Sequence, residues 1–275
     1  MSATAALPTI PKTEPHHIAE DAWLVPSLLP AGPDAYVPVC SMVIRGAEPV
    51  IVDTGAPVHR ESWLEQVLSL VEPQDVRWIF LSHDDTDHMG NLNEMLELCP
   101  QATLVTNFFT VERHAAVEAL PMHRMRWIEP GESFDVGDRT LHAVLPPIFD
   151  APTTRGLFDS RTGVLWAVDS FACPTPGAVH AQEDLPPEMW DEGFLPMNSL
   201  VSPWHAWLDR DVYRRHVDGL QALPLTAIAS GHGPVLRGEA IDDAFGRVRA
   251  MAGAPIVAPP GQPLLDQILA GAMGG

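Results

Sequence analysis

The run His83-Asp84-Asp85-Thr86-Asp87-His88 places five side chains able to bind a metal within six residues, and it sits immediately after a strand-like segment. Val76 to Leu81 is short, apolar and rich in β-branched and aromatic residues, the pattern of a buried strand. Asn91 to Pro100 then reads as a short helix, with Asn91 a candidate N-cap and a proline stop. Strand, acidic loop and helix form one βα unit. Such a unit commits the chain to a layered α/β fold with its polar loop at the carboxyl edge of a sheet, where sites in open α/β sheets are built.

Similar units recur on both sides. Ser41 to Arg45 and Pro49 to Asp53, separated by Gly46-Ala47-Glu48, read as a hairpin ending in Thr54-Gly55. Trp63, Leu64, Val67, Leu68 and Val71 lie at helical spacing within 61–71, and Ala102 to Thr106 and Thr110 to Leu120 read as a strand and a helix. A second series of strands covers 133–136, 139–145, 163–168 and 226–230, and Ala240 to Met251 closes it as a helix. This alternation predicts an α/β protein with two sheets sandwiched between helices, and is equally compatible with one doubly wound sheet. Residues 1–20, rich in Pro and Ala, read as a flexible N-terminal arm, 21–252 as the folded domain, and 253–275 as a Pro/Gly-rich tail.

Composition narrows the function. With 46% hydrophobic residues among 275, the chain can bury a sizeable core. Its formal net charge of −20, from 16 Lys+Arg against 36 Asp+Glu, argues against nucleic acid or an anionic membrane as partner. Three scattered cysteines, Cys40, Cys99 and Cys173, form no disulfide framework and no zinc or iron–sulfur motif; they read as buried thiols of a cytoplasmic protein. No secretory signal is visible, and no apolar stretch is long enough to span a bilayer.

The donors of the 83–88 run are nitrogen and oxygen without sulfur, chemistry for a hard or borderline divalent metal, and for two of them. An isolated Asp/His cluster is more often a solvated turn. Here further landmarks accompany it: Val52-Asp53-Thr54-Gly55, Leu165-Trp166-Ala167-Val168-Asp169, and Ser230-Gly231-His232-Gly233-Pro234. With these, residues from about 20 to 250 resemble the metallo-β-lactamase superfamily, which implies a four-layer αβ/βα sandwich with a metal site at the joint edge of its sheets. The usual hydrolase motif is His-x-His-x-Asp-His, and this chain has Asp85 at the second His position. An acidic residue there resembles the flavodiiron proteins and their stand-alone relatives, the oxygen-binding diiron proteins.

The resemblance implies that His83 and Asp85 hold one metal, that Asp87, His88 and His232 hold the other, and that Asp169 bridges them. The family's remaining ligand is a His upstream of the bridging Asp, and alignment through Phe149 to Asp159 puts Asp150 in its place, with His142 or His180 as substitutes by another loop path. His16, His17, His114, His123, His205 and His216 read as surface or packing residues, and Trp204, His205 and Trp207 as candidate pocket lining.

A carboxylate-rich set leans toward iron or manganese, whereas His-rich pairs of zinc ions serve hydrolysis. The expectation is therefore a non-haem diiron protein with two iron ions that binds and reduces or activates dioxygen or nitric oxide. No flavodoxin-like segment follows residue 250, so a separate electron-donor protein is expected, and the branch implies a homodimer. The alternatives are a dizinc or dimanganese hydrolase, with Asp87 orienting the attacking water, and a fold kept for interaction after its metal site decayed.

Overall fold

The computed structural model describes residues 10–32 and 34–273. Strands β1 (His16–Ala19), β2 (Ala22–Gly32), β3 (Ala35–Ile44), β4 (Val50–Val52), β5 (Trp78–Phe80), β6 (Thr103–Thr106) and β7 (Met125–Trp127) form one sheet in sequence order. Its first four strands are antiparallel, and β4 to β7 run parallel. The second sheet joins β8 (Ser133–Asp135), β9 (Thr140–Val144), β10 (Gly156–Asp159), β11 (Val164–Trp166) and β12 (Ala227–Ala229) in the order β12-β11-β10-β9-β8. Two separate sheets decide the question that alternation left open in favour of the sandwich.

Strand sequences show how each sheet is buried on both faces. Successive side chains of a strand point to opposite sides. In β4, Val50 and Val52 enter the core between the sheets while Ile51 faces the helices. Phe80 and Val105 likewise face inward while Ile79 and Leu104 face outward. In the second sheet Val164 and Trp166 meet the first sheet, and Leu165 and Ile228 face their own helices. Continuous apolar runs are what such doubly covered strands require.

Helices α1 (Arg60–Leu68), α2 (Thr86–Met89), α3 (Leu92–Leu98) and α4 (Phe108–His114) follow strands of the first sheet, and α1 and α3 bury Trp63, Val67, Leu92, Met95 and Leu96 against it. Helices α5 (Pro187–Val201), α6 (Arg210–Gln221) and α7 (Glu239–Met251) cover the second sheet, α7 through Ile241, Ala244, Phe245, Val248 and Met251 at helical spacing. A last helix, α8 (Gln262–Met273), occupies the segment that reads as a tail, and His16–Ala19 of the expected arm pairs with β2.

Several elements depart from the sequence reading. Strand β10 and helices α5 and α6 lie where it assigns none; Pro186, Pro187 and Pro196 interrupt the helical signal of α5. Helix α4 stops at His114 instead of Leu120. Asn91 makes no capping bond; its amide nitrogen donates to the Thr54 and Ala56 carbonyls, fastening α3 to the loop after β4. All three cysteines are buried and free. Among the described residues no helix is long and apolar enough to cross a membrane.

Candidate metal centre

The sequence-predicted residues come together because they all leave the same edge of the two sheets. His83 follows β5, Asp87 and His88 lie on α2, Asp169 follows β11 and His232 follows β12. Three overlapping groups result: His83, His88 and Asp169; Asp87, His88 and His232; and His83, Asp85 and Asp150. Asp85 occupies the N-cap position of α2 yet makes no capping bond, so its carboxylate is left for His83 and Asp150. Asp84, the one acid of the run outside these groups, turns away to Thr153 Oγ1 (2.8 Å) and the Arg113 guanidinium (2.9 Å).

Asp169 stands between the two halves. Its Oδ2 lies 3.5 Å from His83 Nε2, while Oδ1 lies 3.0 Å from His88 Nε2 and 3.3 Å from His232 Nε2. One oxygen thus faces each half, the arrangement a bridging carboxylate needs. Asp87 Oδ2 approaches His232 Nε2 at 3.3 Å and His88 Nε2 at 3.8 Å, and Asp85 Oδ2 is 3.9 Å from His83 Nε2.

The hydrogen bonds behind the rings fix which nitrogen faces inward. His232 Nδ1 is 2.8 Å from the Pro38 carbonyl, an acceptor only, so Nδ1 carries the proton and donates. His88 Nδ1 donates to Asp53 Oδ2 at 2.9 Å. Ser82 Oγ gives its own proton to Asp53 Oδ2 (2.7 Å), so it accepts from His83 Nδ1 (3.2 Å). With that proton on Nδ1, each ring in its neutral form points an Nε2 lone pair into the site, its other nitrogen oriented as metal-binding histidines usually have it. His88 and His232 hold those lone pairs only 3.3 Å apart, and His83 Nε2 and Asp169 Oδ1 are buried without a hydrogen-bond partner. Converging lone pairs and carboxylates repel each other unless a proton or a metal cation lies among them.

Ionisation points the same way. Burial opposes charge on His88, but the Asp169 and Asp53 carboxylates outweigh it and hold the imidazole well above its ordinary value. His232 is raised too, with Asp169 and Asp87 overcoming burial and the neighbouring His88. Asp169 goes far below the carboxylate range because His83, His88 and His232 overcome its own burial. Asp150 moves up, through burial and the nearby charges of Asp169 and Asp85, despite His83. The centre demands positive charge, and two divalent ions would balance Asp85, Asp87, Asp150 and Asp169.

Sequence reasoning named Asp53 only as part of a landmark and gave no role to the residues that assemble this site. Asp53 is fully buried at φ 60° and accepts from Ser82 N, Ser82 Oγ, His88 Nδ1 and Trp166 Nε1. Its signal was visible as an acid directly after the apolar Val50-Ile51-Val52. Ser170 Oγ accepts from Ile148 N and donates to Ile148 O, and Arg155 N donates to Ser82 O at 2.7 Å, drawing the Asp150 loop toward Asp169 and His83. These contacts bring Asp150, and neither of its substitutes, to His83 and Asp85. His142 lies beside Phe158 and His180 stacks on His16, outside every donor group. Val168 reaches φ 57° just before Asp169, a β-branched residue in the left-handed region, which persists only where surroundings hold it.

Of the other candidates, His205 is a packing residue bonded to the Met251 carbonyl and Ser199 Oγ, Trp204 packs on Phe149, and Trp207 is exposed. The thiols offer no alternative donors near the centre, and burial pushes Cys40 and Cys173 up to about 12.

Comparison with known proteins agrees with this fold. The chain is 26% identical over 201 residues to a diflavin flavoprotein of Nostoc sp., covering 72% of this chain and 33% of that protein. A flavo-diiron protein of Clostridium acetobutylicum is 21% identical over 206 residues, 72% of this chain and 49% of the relative. The chain thus spans about a third to a half of the length of these relatives. Among solved structures, the flavodiiron protein of Giardia intestinalis superposes with a TM-score of 0.76 at 15% identity, covering 88% of this chain and 60% of that one. The rubredoxin oxygen:oxidoreductase of Desulfovibrio gigas gives 0.74 at 15%, with 86% and 61% covered. The sequence model of the ODP family beta lactamase matches residues 39–233, the span from β3 to just past His232. The chain belongs to that family, and its fold is that of the flavodiiron protein structures.

Proposed function

We propose that this chain is a metal-dependent oxidoreductase whose dinuclear iron centre binds and reduces dioxygen or nitric oxide. The observation that carries the reading is Asp85: a carboxylate facing His83 where the hydrolase motif has imidazole, in a centre with Asp169 between its halves. The similarity to a flavo-diiron protein and to a rubredoxin oxygen:oxidoreductase supports it. The place of Asp150 beside His83 and Asp85 speaks against the decayed-site reading.

The seven residues fit the group in number, donor type and charge. His83, Asp85 and Asp150 would hold one ion, Asp87, His88 and His232 the other, and Asp169 both. Iron bound there would supply one electron from each ion to a single diatomic molecule. The protein's own part is positional. Asp53, Ser82 and the Pro38 carbonyl hold the imidazoles with Nε2 inward, which removes the cost of reorienting them when charge arrives. Electrons are proposed to come from a separate donor protein, and the acting unit to be a homodimer.

Protein purified without oxygen and analysed for metals tests the reading. Iron, followed by absorption or Mössbauer changes and oxygen uptake with a reductant present, is expected. Stoichiometric zinc with ester, thioester or phosphodiester turnover would sink it. Asp85→His should move metal preference toward zinc and abolish oxygen uptake.

A further inference from the structure

Three buried side-chain atoms without a hydrogen-bond partner among the described residues gather around one cavity outside the metal centre: Ser27 Oγ, His59 Nδ1 and Gln66 Oε1. The cavity, of about 640 Å³, lies between β2, α1 and the segment from Ile10 to Pro15, and none of the seven metal-site residues lines it. Its volume is within the range of small-molecule sites. Ser27 and Gln66 are only 4% and 8% exposed. Buried polar atoms left unpaired cost stability, and folded proteins keep few of them.

The bonds these side chains do make fix what they still require. His59 Nε2 stands 3.1 Å from the Leu28 carbonyl, an acceptor only, so Nε2 carries the proton and Nδ1 keeps a lone pair. Burial lowers the His59 imidazole from its ordinary value and so favours that neutral ring. Gln66 Nε2 donates to the Pro26 carbonyl, which leaves Oε1 as an acceptor. Ser62, Glu65, Gln66 and Ser69 recur at helical spacing along one side of the cavity. Ser62 Oγ and Ser69 Oγ spend their protons on the His59 and Gln66 carbonyls and offer lone pairs as well. Glu65 adds a carboxylate, while Lys12 pairs with Glu14 at 3.8 Å. The polar lining is thus mostly acceptor and negative, and Trp23, Leu28 and Leu70 supply apolar wall. A ligand that matches it brings hydrogen-bond donors and positive charge on an apolar body, and the volume suits a body of aromatic size.

We propose that this cavity binds a small arylalkylamine, whose N–H groups donate to Ser27 Oγ, His59 Nδ1 and Gln66 Oε1 and whose charge faces Glu65. The three atoms are shut off from solvent, so the ligand reaches them by displacing the segment from Ile10 to Pro15, which Thr13 Oγ1 fastens to the Pro26 carbonyl of β2 at 2.7 Å.

Tryptamine is the probe, because its indole N–H and its ammonium are both donors on an aromatic body. Indole-3-acetate, with a carboxylate in place of the ammonium, is the control. Calorimetric titration of the full chain should show binding of tryptamine and none of indole-3-acetate. Ser27→Ala and Gln66→Met should each weaken tryptamine binding about three- to tenfold, the loss of one hydrogen bond. Ser27→Ala should also leave the unfolding temperature of the free protein unchanged or slightly raised, because the hydroxyl has no partner to lose; this variant carries the test if Gln66→Met fails to fold. Equal binding of the two compounds, or no binding of tryptamine at millimolar concentration, would overturn the proposal. So would tryptamine binding indifferent to the substitutions, as uptake by the acidic surface at large would give, or a large loss of stability in Ser27→Ala, which would mean that the hydroxyl is already satisfied within the fold.

Discussion

Around His88 and His232 the imidazoles are braced from behind by a carboxylate and a main-chain carbonyl, at 2.9 and 2.8 Å, and stand where the two sheets meet. Around His83 the brace is a serine hydroxyl at 3.2 Å, and its companions Asp85 and Asp150 project from loops toward solvent. One half is rigid before any ion arrives. The other has its imidazole in place while its carboxylates remain free to adjust. A fold that fixes one position and leaves the other adaptable can hold a first ion firmly and tune its answer to the second by single loop substitutions. Metal choice is thereby separated from fold stability.

The largest disturbance of this division is at Asp169, the residue both halves share. Asp169→Asn removes the negative charge between His83 and His88 while keeping shape and one acceptor oxygen. Metal affinity should fall in both halves by more than the roughly 100-fold upper end seen for loss of an outer partner. Titration of metal-free protein with iron(II) or manganese(II), read by calorimetry, checks this; a variant that still binds two ions as tightly would break the bridging assignment.

Next come His232→Ala and Asp150→Ala, which should separate the halves. Each is expected to lower metal content by one ion while the other position stays filled. Asp150→Ala should leave folding stability nearly unchanged because the side chain is at the surface. His232→Ala should cost about 1 kcal/mol or more, since it also leaves the Pro38 carbonyl without its donor. Thermal unfolding and metal analysis together read both effects. Equal losses of metal from both positions in either variant would show that the halves do not act separately.

Gly231→Ala probes the rigid half alone. A Cβ at residue 231 would lie 2.7 Å from His88 Cε1 and 3.2 Å from the Val168 carbonyl, so the ring or the loop must shift. Overpacking of this kind costs about 1–3 kcal/mol. Binding should weaken at the His88 position and stay intact beside His83. Unchanged binding at both would mean that the bracing of His88 yields easily and that the contrast between the halves is smaller than the hydrogen bonds suggest.

Much of this architecture was legible before the fold was seen, and the reason is local. The acidic run after Val76 to Leu81, the acid after Val164-Leu165-Trp166 and the glycine-flanked His232 are all strand-end signals, and strand ends are what the fold gathers. What stayed hidden is what depends on contacts distant in sequence. Ser82, Ser170 and Trp166 carry no mark of their role because a serine or an indole gains it only when Asp53, Ile148 or the opposite sheet arrives. Helix α6, with Tyr213, Val217 and Leu220 inward among many charges, carries a clear amphipathic pattern that the strand-centred reading passed over. Asp150 could be reached only by family alignment, since its segment has no periodicity. The Ser170 and Arg155 bonds that seat it join residues 148 with 170 and 82 with 155.

The smallest effect is expected at Asp84, and it tests whether the loop of the adaptable half needs fastening. Asp84 belongs to the same run as the site residues, yet it accepts from Thr153 Oγ1 and pairs with Arg113, whose side chain is 46% exposed. An ion pair with one partner so exposed contributes roughly 0–1 kcal/mol. The Thr153 bond adds more to position than to stability, because Thr153 O also accepts from Asn107 Nδ2 at 2.6 Å and the loop keeps that anchor. Asp84→Asn retains an acceptor for Thr153 and loses only the charge facing Arg113. Metal binding beside His88 should not change, binding beside His83 should weaken only a few-fold, at the level of about 1 kcal/mol or less, and the unfolding temperature should barely move. A large loss beside His83, rivalling that of Asp150→Ala, would show that the adaptable half is held by its outward-facing acid as firmly as the rigid half is held by Asp53.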